Sequence, residues 1–133
     1  MAANVKKHKK TFVLIVPRFE DIFHSFYAGE IVKGASLAAS RLHADILIHI
    51  TDRSDHHAWL DAGLLDPHLV DGILFADIDN DPNVVKKAIT KGVPHLVLNN
   101  YLKQPMNCIA IDNYQAAIEA VEMLVRLGHQ RIA

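Results

Sequence analysis

Strand-length apolar runs alternate with stretches of helical periodicity along this chain, and that alternation limits the fold more than any other feature. The runs are Thr11–Pro17, Asp45–Thr51, Val70–Ala76 and Val93–Asn99. Phe12 to Val16 is apolar at every position. Such a strand has no side to turn to water and reads as a parallel strand buried on both faces. Phe26 to Leu42 follows the first run and reads as helix. It places Ile31, Ala35, Ala38 and Leu42 at three- and four-residue spacing, with Lys33, Ser36 and Ser40 off that stripe. Leu37 also lies off it, which points to a second apolar contact.

The remaining elements are marked by their ends. His56 to Leu65 reads as a short helix. Asp81-Pro82 starts the next helix, because aspartate caps free amides and proline has no amide to leave unpaired at the first helical position. That helix runs to Lys91, and Gly92 ends it. A polar loop carrying Pro105 leads to a short fifth strand, Cys108 to Ile111. The last helix covers Tyr114 to Leu127, capped by Asp112 or Asn113; Asp112 and Gln115 have the spacing of a capping box. Gly128 stops it. Strands and helices in strict alternation with short connections give an α/β fold. The expected form is a doubly wound, flavodoxin-like parallel sheet with helices on both faces, a Rossmann-like three-layer arrangement with strand order 2-1-3-4-5.

The 133 residues suffice for one domain with its own core, and a formal net charge of -1 gives no broad basic surface for nucleic acid. The one basic cluster, Lys6-Lys7-His8-Lys9-Lys10, makes residues 1–10 a solvated tail or the remnant of a linker, with the domain spanning 11–133. No secretory signal or bilayer-spanning segment is expected, and Cys108 is the single cysteine, so the expected location is the cytoplasm.

Catalytic and metal chemistry find little support. Nine histidines are many, but adjacent His56 and His57 would point to different sides of a helix, and no zinc-ligand spacing emerges. Asp77, Asp79 and Asp81 resemble a calcium loop without its glycine or its distal glutamate. Cys108 lacks a partner histidine and reads as a buried, inert thiol. No glycine-rich phosphate loop follows the first strand. The expectation is a non-enzyme with no cofactor and no metal. In open parallel sheets, ligands bind beyond the C-terminal strand ends, where strand order reverses. That places candidate contacts at Arg18 and Tyr27 after strand one, Asp52 after strand two, Asp77 after strand three and Asn100 after strand four. Asp112, after strand five, could reach the same cleft or serve only as a helix cap. Arg18 suits an anionic group or a solvated loop. Asn100 offers both donors and an acceptor, and is equally at home in a turn.

Five stretches in order carry a family resemblance. Thr11 to Pro17 ends an opening strand in proline. Ser25-Phe-Tyr-Ala-Gly-Glu-Ile-Val-Lys-Gly34 runs from an aromatic start to a glycine. Val70-Asp-Gly-Ile-Leu-Phe75, Lys91-Gly-Val-Pro-His-Leu-Val-Leu-Asn-Asn100 and Leu127-Gly-His-Gln-Arg-Ile-Ala133 complete the set. From about Lys10 to Ala133 the chain resembles the effector-binding domain of the lactose-repressor/galactose-repressor family of transcriptional regulators. It departs from that pattern in a longer loop at Arg18 to His24, in Ser25-Phe26 where Asn-Pro is usual, in Ala28 where a second aromatic is common, and in Asn99-Asn100 where Asp-Arg is frequent.

The resemblance implies one lobe of a periplasmic-binding-protein-like type I fold. A second lobe would begin at about His129, and a helix-turn-helix domain would precede the region. It implies a small-molecule effector, a sugar, held between two lobes, with Tyr27 stacking on it or else locking the first helix to the sheet. It implies DNA contact only through the preceding domain. It also implies a homodimer formed partly by the first helix and the region around His56 to Leu65, with Trp59 and Leu60 as anchors. The alternatives are a periplasmic-type sugar-binding protein and a stand-alone flavodoxin-like module.

Overall fold

The computed structural model describes residues 9–17, 25–51, 63–64, 66–76, 82–98 and 107–132. Within them lie strands β1 (Thr11–Pro17), β2 (Asp45–Thr51), β3 (Gly72–Phe75), β4 (His95–Leu98) and β5 (Cys108–Ile109), and helices α1 (Phe26–Arg41), α2 (Pro82–Thr90) and α3 (Asn113–Arg126). The strands form one sheet in the order β2-β1-β3-β4-β5. Every pairing is parallel: Thr11 to Pro17 lie opposite Asp45 to Thr51, and Phe12 to Ile15 lie opposite Gly72 to Phe75. The expected topology is the observed one.

β1 divides its side chains between two cores. Val13 and Ile15 join Ile73, Phe75, Val97 and Val85 of α2 on one face. Leu14 and Val16 join Ala28 of α1 and Ala76 on the other, with Ile31, Val32, Ala35, Ile46 and Leu74 packed against them. The two helices therefore cover opposite faces, as right-handed crossovers to opposite sides of β1 require. Val13 to Val16 are 0–2% exposed. Each such side chain contributes about 1.5–3 kcal/mol of burial.

The inward stripe of α1 differs from the expected one. Ala28 and Ala39 are buried and Ile31, Val32 and Ala35 line the core, whereas Leu42 is 72% exposed. The helix ends at Arg41, and the Leu42 amide still donates to the Ala38 carbonyl at 3.0 Å, so Leu42 lies one turn beyond Ala38 on the same exposed side; His43 then takes a left-handed φ of 51°. Leu37 is exposed, as its place off the stripe suggested. The helix expected over His56–Leu65 lies largely outside the described residues; Gly63 and Leu64 form a turn, with Gly63 at φ 74°. β3, β4 and β5 are shorter than the apolar runs that announced them. At β4 the reason is Pro94, which has no amide for the ladder. At the other end of the sheet Lys9 ion-pairs with Asp45, and the Lys10 carbonyl accepts the Asp45 amide at 2.8 Å.

The Val-Asp-Gly motif owes its residues to packing. The Asp71 carboxylate accepts the Thr11 amide at 2.8 Å, and the Asp71 amide donates to the Thr11 carbonyl at 2.8 Å. A Cβ on Gly72 would lie 3.2 Å from the Phe12 ring and 3.3 Å from the Pro94 carbonyl oxygen. The ring can shift, but the backbone oxygen has little room to do so. Gly34, inside α1, has nothing within 4 Å of an added Cβ.

Burial pushes the imidazole of His49 on β2 below its ordinary value of 6.5. The folded state therefore resists a proton that the unfolded chain accepts. The contribution to stability is complete above pH 6.5 and is lost as pH falls through and below that value.

Two measurements follow from this packing. In urea titrations, Gly72→Ala should cost about 1–3 kcal/mol through overpacking, while Gly34→Ala should gain about 0.5–1 kcal/mol from helix propensity. Equal effects at the two positions would contradict the close approach at Gly72. Between about pH 7 and pH 5, the melting temperature of the parent should fall more steeply than that of His49→Gln. Parallel curves would show that His49 does not contribute to the acid limb.

Candidate functional site

All strands run the same way, so Pro17, Thr51, Phe75, Leu98 and Ile109 bring their C-terminal ends to one edge of the sheet. Chain order reverses direction between β1 and β3. The connection from β1 leads outward to β2, and the chain then returns across β1 to β3. At such a switch point the flanking connections diverge and leave a crevice.

Tyr27 stands at that crevice. Ser25 caps α1, its hydroxyl accepting the Ala28 amide at 3.3 Å and its carbonyl accepting the Gly29 amide at 2.9 Å. This fixes the first turn of α1 beside the end of β3. The Tyr27 hydroxyl donates to the Ala76 carbonyl at 3.5 Å, a long bond, and the residue remains 38% exposed. Ala76 is buried, and its amide donates to the Ile15 carbonyl at 2.9 Å, extending the β1–β3 ladder by one residue. The two expectations for Tyr27 are therefore compatible: the hydroxyl ties the helix to the sheet while part of the ring faces outward. The first turn of α1 carries no acidic residue of its own.

Phe26 beside it is 84% exposed. The sequence marks Phe26 as the helix start and as a departure from the family pattern, but its exposure was not among the expectations. Its signal was the preceding Ser25: a cap there puts Phe26 at the first helical position, before the inward stripe begins at Ala28.

Asp112 follows β5 and acts as the α3 cap, its carboxylate accepting the Gln115 amide at 2.9 Å. Only half of the expected capping box forms, because the Gln115 side chain turns away to Glu119 at 3.0 Å. Arg18, Asp52, Asp77 and Asn100, and the anchors Trp59 and Leu60, lie outside the described residues. Cys108 is exposed, not buried as expected, because the two-residue β5 lies at the edge of the sheet. Among the described residues, no group of histidine, cysteine or acidic side chains could hold a metal ion, and no helix is long and apolar enough to cross a membrane.

α3 differs from the other helices. None of its residues is buried, and Tyr114, Val121, Met123, Val125 and the adjoining Leu127 are 49–79% exposed. Gln115, Glu119, Glu122 and Arg126 form one polar ridge, joined by Gln115–Glu119 and Glu122–Arg126 contacts. Apart from Asn113 at its start, side chains around the rest of the helix are apolar, an arc of roughly 200° at 100° per residue. A shallow depression lined by Val121, Glu122, Val125 and Arg126 lies along this helix.

Residues 9–133 match the family described as periplasmic binding proteins and the sugar binding domain of the LacI family. The chain belongs to that family. It is 28% identical over 136 residues to the HTH-type transcriptional regulator DegA of Bacillus subtilis (strain 168), across 99% of this chain and 39% of that regulator. Among solved structures, the complex of the transcriptional regulator CelR with cellobiose is similar with a TM-score of 0.77 at 25% identity, over 94% of this chain and 40% of the other. The Lac repressor dimer bound to operator and the anti-inducer ONPF gives 0.74 at 26% identity, over 96% and 44%. This chain thus spans about two fifths of the length of these relatives. The family match begins at Lys9.

Proposed function

We propose that the chain is the first lobe of the effector-sensing part of a transcriptional regulator, and that a sugar binds at the C-terminal edge of its sheet. The observation that carries this reading is the exposed aromatic Tyr27 at the β1/β3 switch point of a domain whose family is defined by sugar binding. An aromatic ring offers a flat apolar face to the C–H face of a pyranose. Asn100, Asp52, Asp77 and Arg18 would supply polar contacts from the neighbouring loops, and Asp112 would border the cleft. The regulator reading draws on DegA, CelR and the Lac repressor, all regulators by name. A periplasmic transport role shares the family but has no such support from these relatives.

The mechanism is a population shift. A sugar that binds better between closed lobes than open ones moves the balance by its difference in affinity for the two states. In a homodimer, that closure would alter how two DNA-binding parts are presented. Exposed Leu37 on α1 would join Trp59 and Leu60 in the dimer contact. Such a protein works in the cytoplasm, where DNA is.

The second lobe, in this reading, begins before α3 and not at His129. β5 belongs to the sheet, whereas among the described residues no α3 side chain joins either core of the first lobe. A helix apolar over so wide an arc is built for burial. The crossing point is then Ala110–Asp112, and α3 docks on the polypeptide of the second lobe.

The reading is tested by isothermal titration with a sugar panel led by cellobiose, using this chain and a longer form that carries both lobes. The longer form should bind at least one sugar, and this chain should bind it far more weakly. Loss of one stacking face in Tyr27→Ala should weaken binding about tenfold, with Tyr27→Phe staying within a few-fold. Unchanged affinity in Tyr27→Ala would remove Tyr27 from the site. For α3, Val125→Glu should change the stability of this chain by less than about 0.5 kcal/mol. In the longer form the same change should cost about 2 kcal/mol or more by burying a charge. Equal costs in the two forms would sink the assignment of α3 to the second lobe.

A further inference from the structure

The start of β1 is held differently from the rest of the strand. From Val13 onward the strand is fixed by apolar burial on both faces. Before Phe12 it is fixed by polar contacts on both flanks. On the β2 side, Lys9 ion-pairs with Asp45, and the Asp45 amide donates to the Lys10 carbonyl at 2.8 Å. On the β3 side, Asp71 meets Thr11 twice, receiving the Thr11 amide on its carboxylate and giving its own amide to the Thr11 carbonyl, both at 2.8 Å.

We propose that Lys9–Thr11, Asp45 and Asp71 form a releasable clasp. It fixes the direction in which the segment before Lys9 leaves the sheet, and it opens without unfolding the core. The two flanks hold unequally. The Lys9 and Asp45 side chains are each 56% exposed, so salt screens their attraction. The Asp71 bond to the Thr11 amide is charge-assisted and part-buried, and so outlasts the ion pair as salt rises. Releasing both exposes none of the core side chains, which begin at Val13. Opening is therefore local and costs less than global unfolding. An ordinary strand end has only its ladder bonds. Here a side chain 60 residues away supplies a second acceptor. The clasp does not depend on the regulator reading. If that reading holds, the DNA-binding part is attached through this joint, and the clasp sets how firmly it is oriented.

The test is residue-resolved hydrogen–deuterium exchange on the whole chain. In the parent protein, the Thr11 amide should exchange faster than those of Val13 to Val16. Asp71→Ala should speed Thr11 exchange by about tenfold to a hundredfold, the loss of one hydrogen bond to a charged group, and leave Val13 to Val16 unchanged. Raising salt from about 0.05 to about 1 M should speed exchange of the Asp45 amide in the parent but not in Lys9→Ala. The proposal is overturned if Thr11 exchanges at the core rate in the parent, or if Asp71→Ala speeds every amide alike. The parent measurement needs no variant to fold. Sugar and DNA binding play no part in the readout, so failure of the regulator reading would leave it untouched.

Discussion

Burial of β1 on both faces is the constraint on which the other layers depend. Four consecutive side chains, Val13 to Val16, are almost wholly withdrawn from water, and they alternate between two cores. A slip of one residue would exchange the two sets and present each helix with the wrong face. The strand also pairs on both sides, with β2 along its full length and with β3 over Phe12 to Ile15. Register, helix placement and the position of the switch-point crevice all descend from this one strand. Gly72 belongs to the same constraint, because the Phe12 ring of β1 lies against the space that a side chain there would need.

The two ends of the sheet divide the work. The N-terminal rim is closed by Asp71, Asp45 and Lys9, whose polar contacts leave the chain entry tied down. The C-terminal edge is where α1 begins with a capped turn and an outward ring, and where the candidate ligand residues follow each strand. In the proposed regulator the sugar would meet one edge of the sheet and the preceding part of the protein would attach at the other, with β1 running between them.

Much of this was legible in the sequence because it rests on local signals. Continuous apolar runs marked buried parallel strands. Asp112, Pro82, Gly92 and Gly128 marked helix ends, and the alternation of elements gave the strand order. What was not legible depends on partners far along the chain. Asp71 reads as an interruption in an apolar run until Thr11 is seen beside it, 60 residues away. Ala35 belongs to two possible stripes on α1, and the packing of Ala28, Ile31, Val32 and Ala35 against Leu14, Val16 and Ala76 selects the one that faces inward. The second half of the capping box failed because Glu119, one turn on, offered Gln115 a better-placed partner. Of the candidate site, the sheet edge and Tyr27 followed from topology and from one aromatic at a helix start. The loops that carry Arg18, Asp52, Asp77 and Asn100 have no periodicity from which side-chain placement could be read.

α3 is sealed by its own residues. Asp112 satisfies an amide at its start, the Leu127, Gly128 and His129 amides satisfy carbonyls at its end, and the polar ridge links successive turns on one side. These contacts favour the helical form before anything packs on it, while the apolar arc still lacks the burial that a helix of this length needs to be stable. A cover that takes up this arc would supply that burial, so docking and the final ordering of the helix go together.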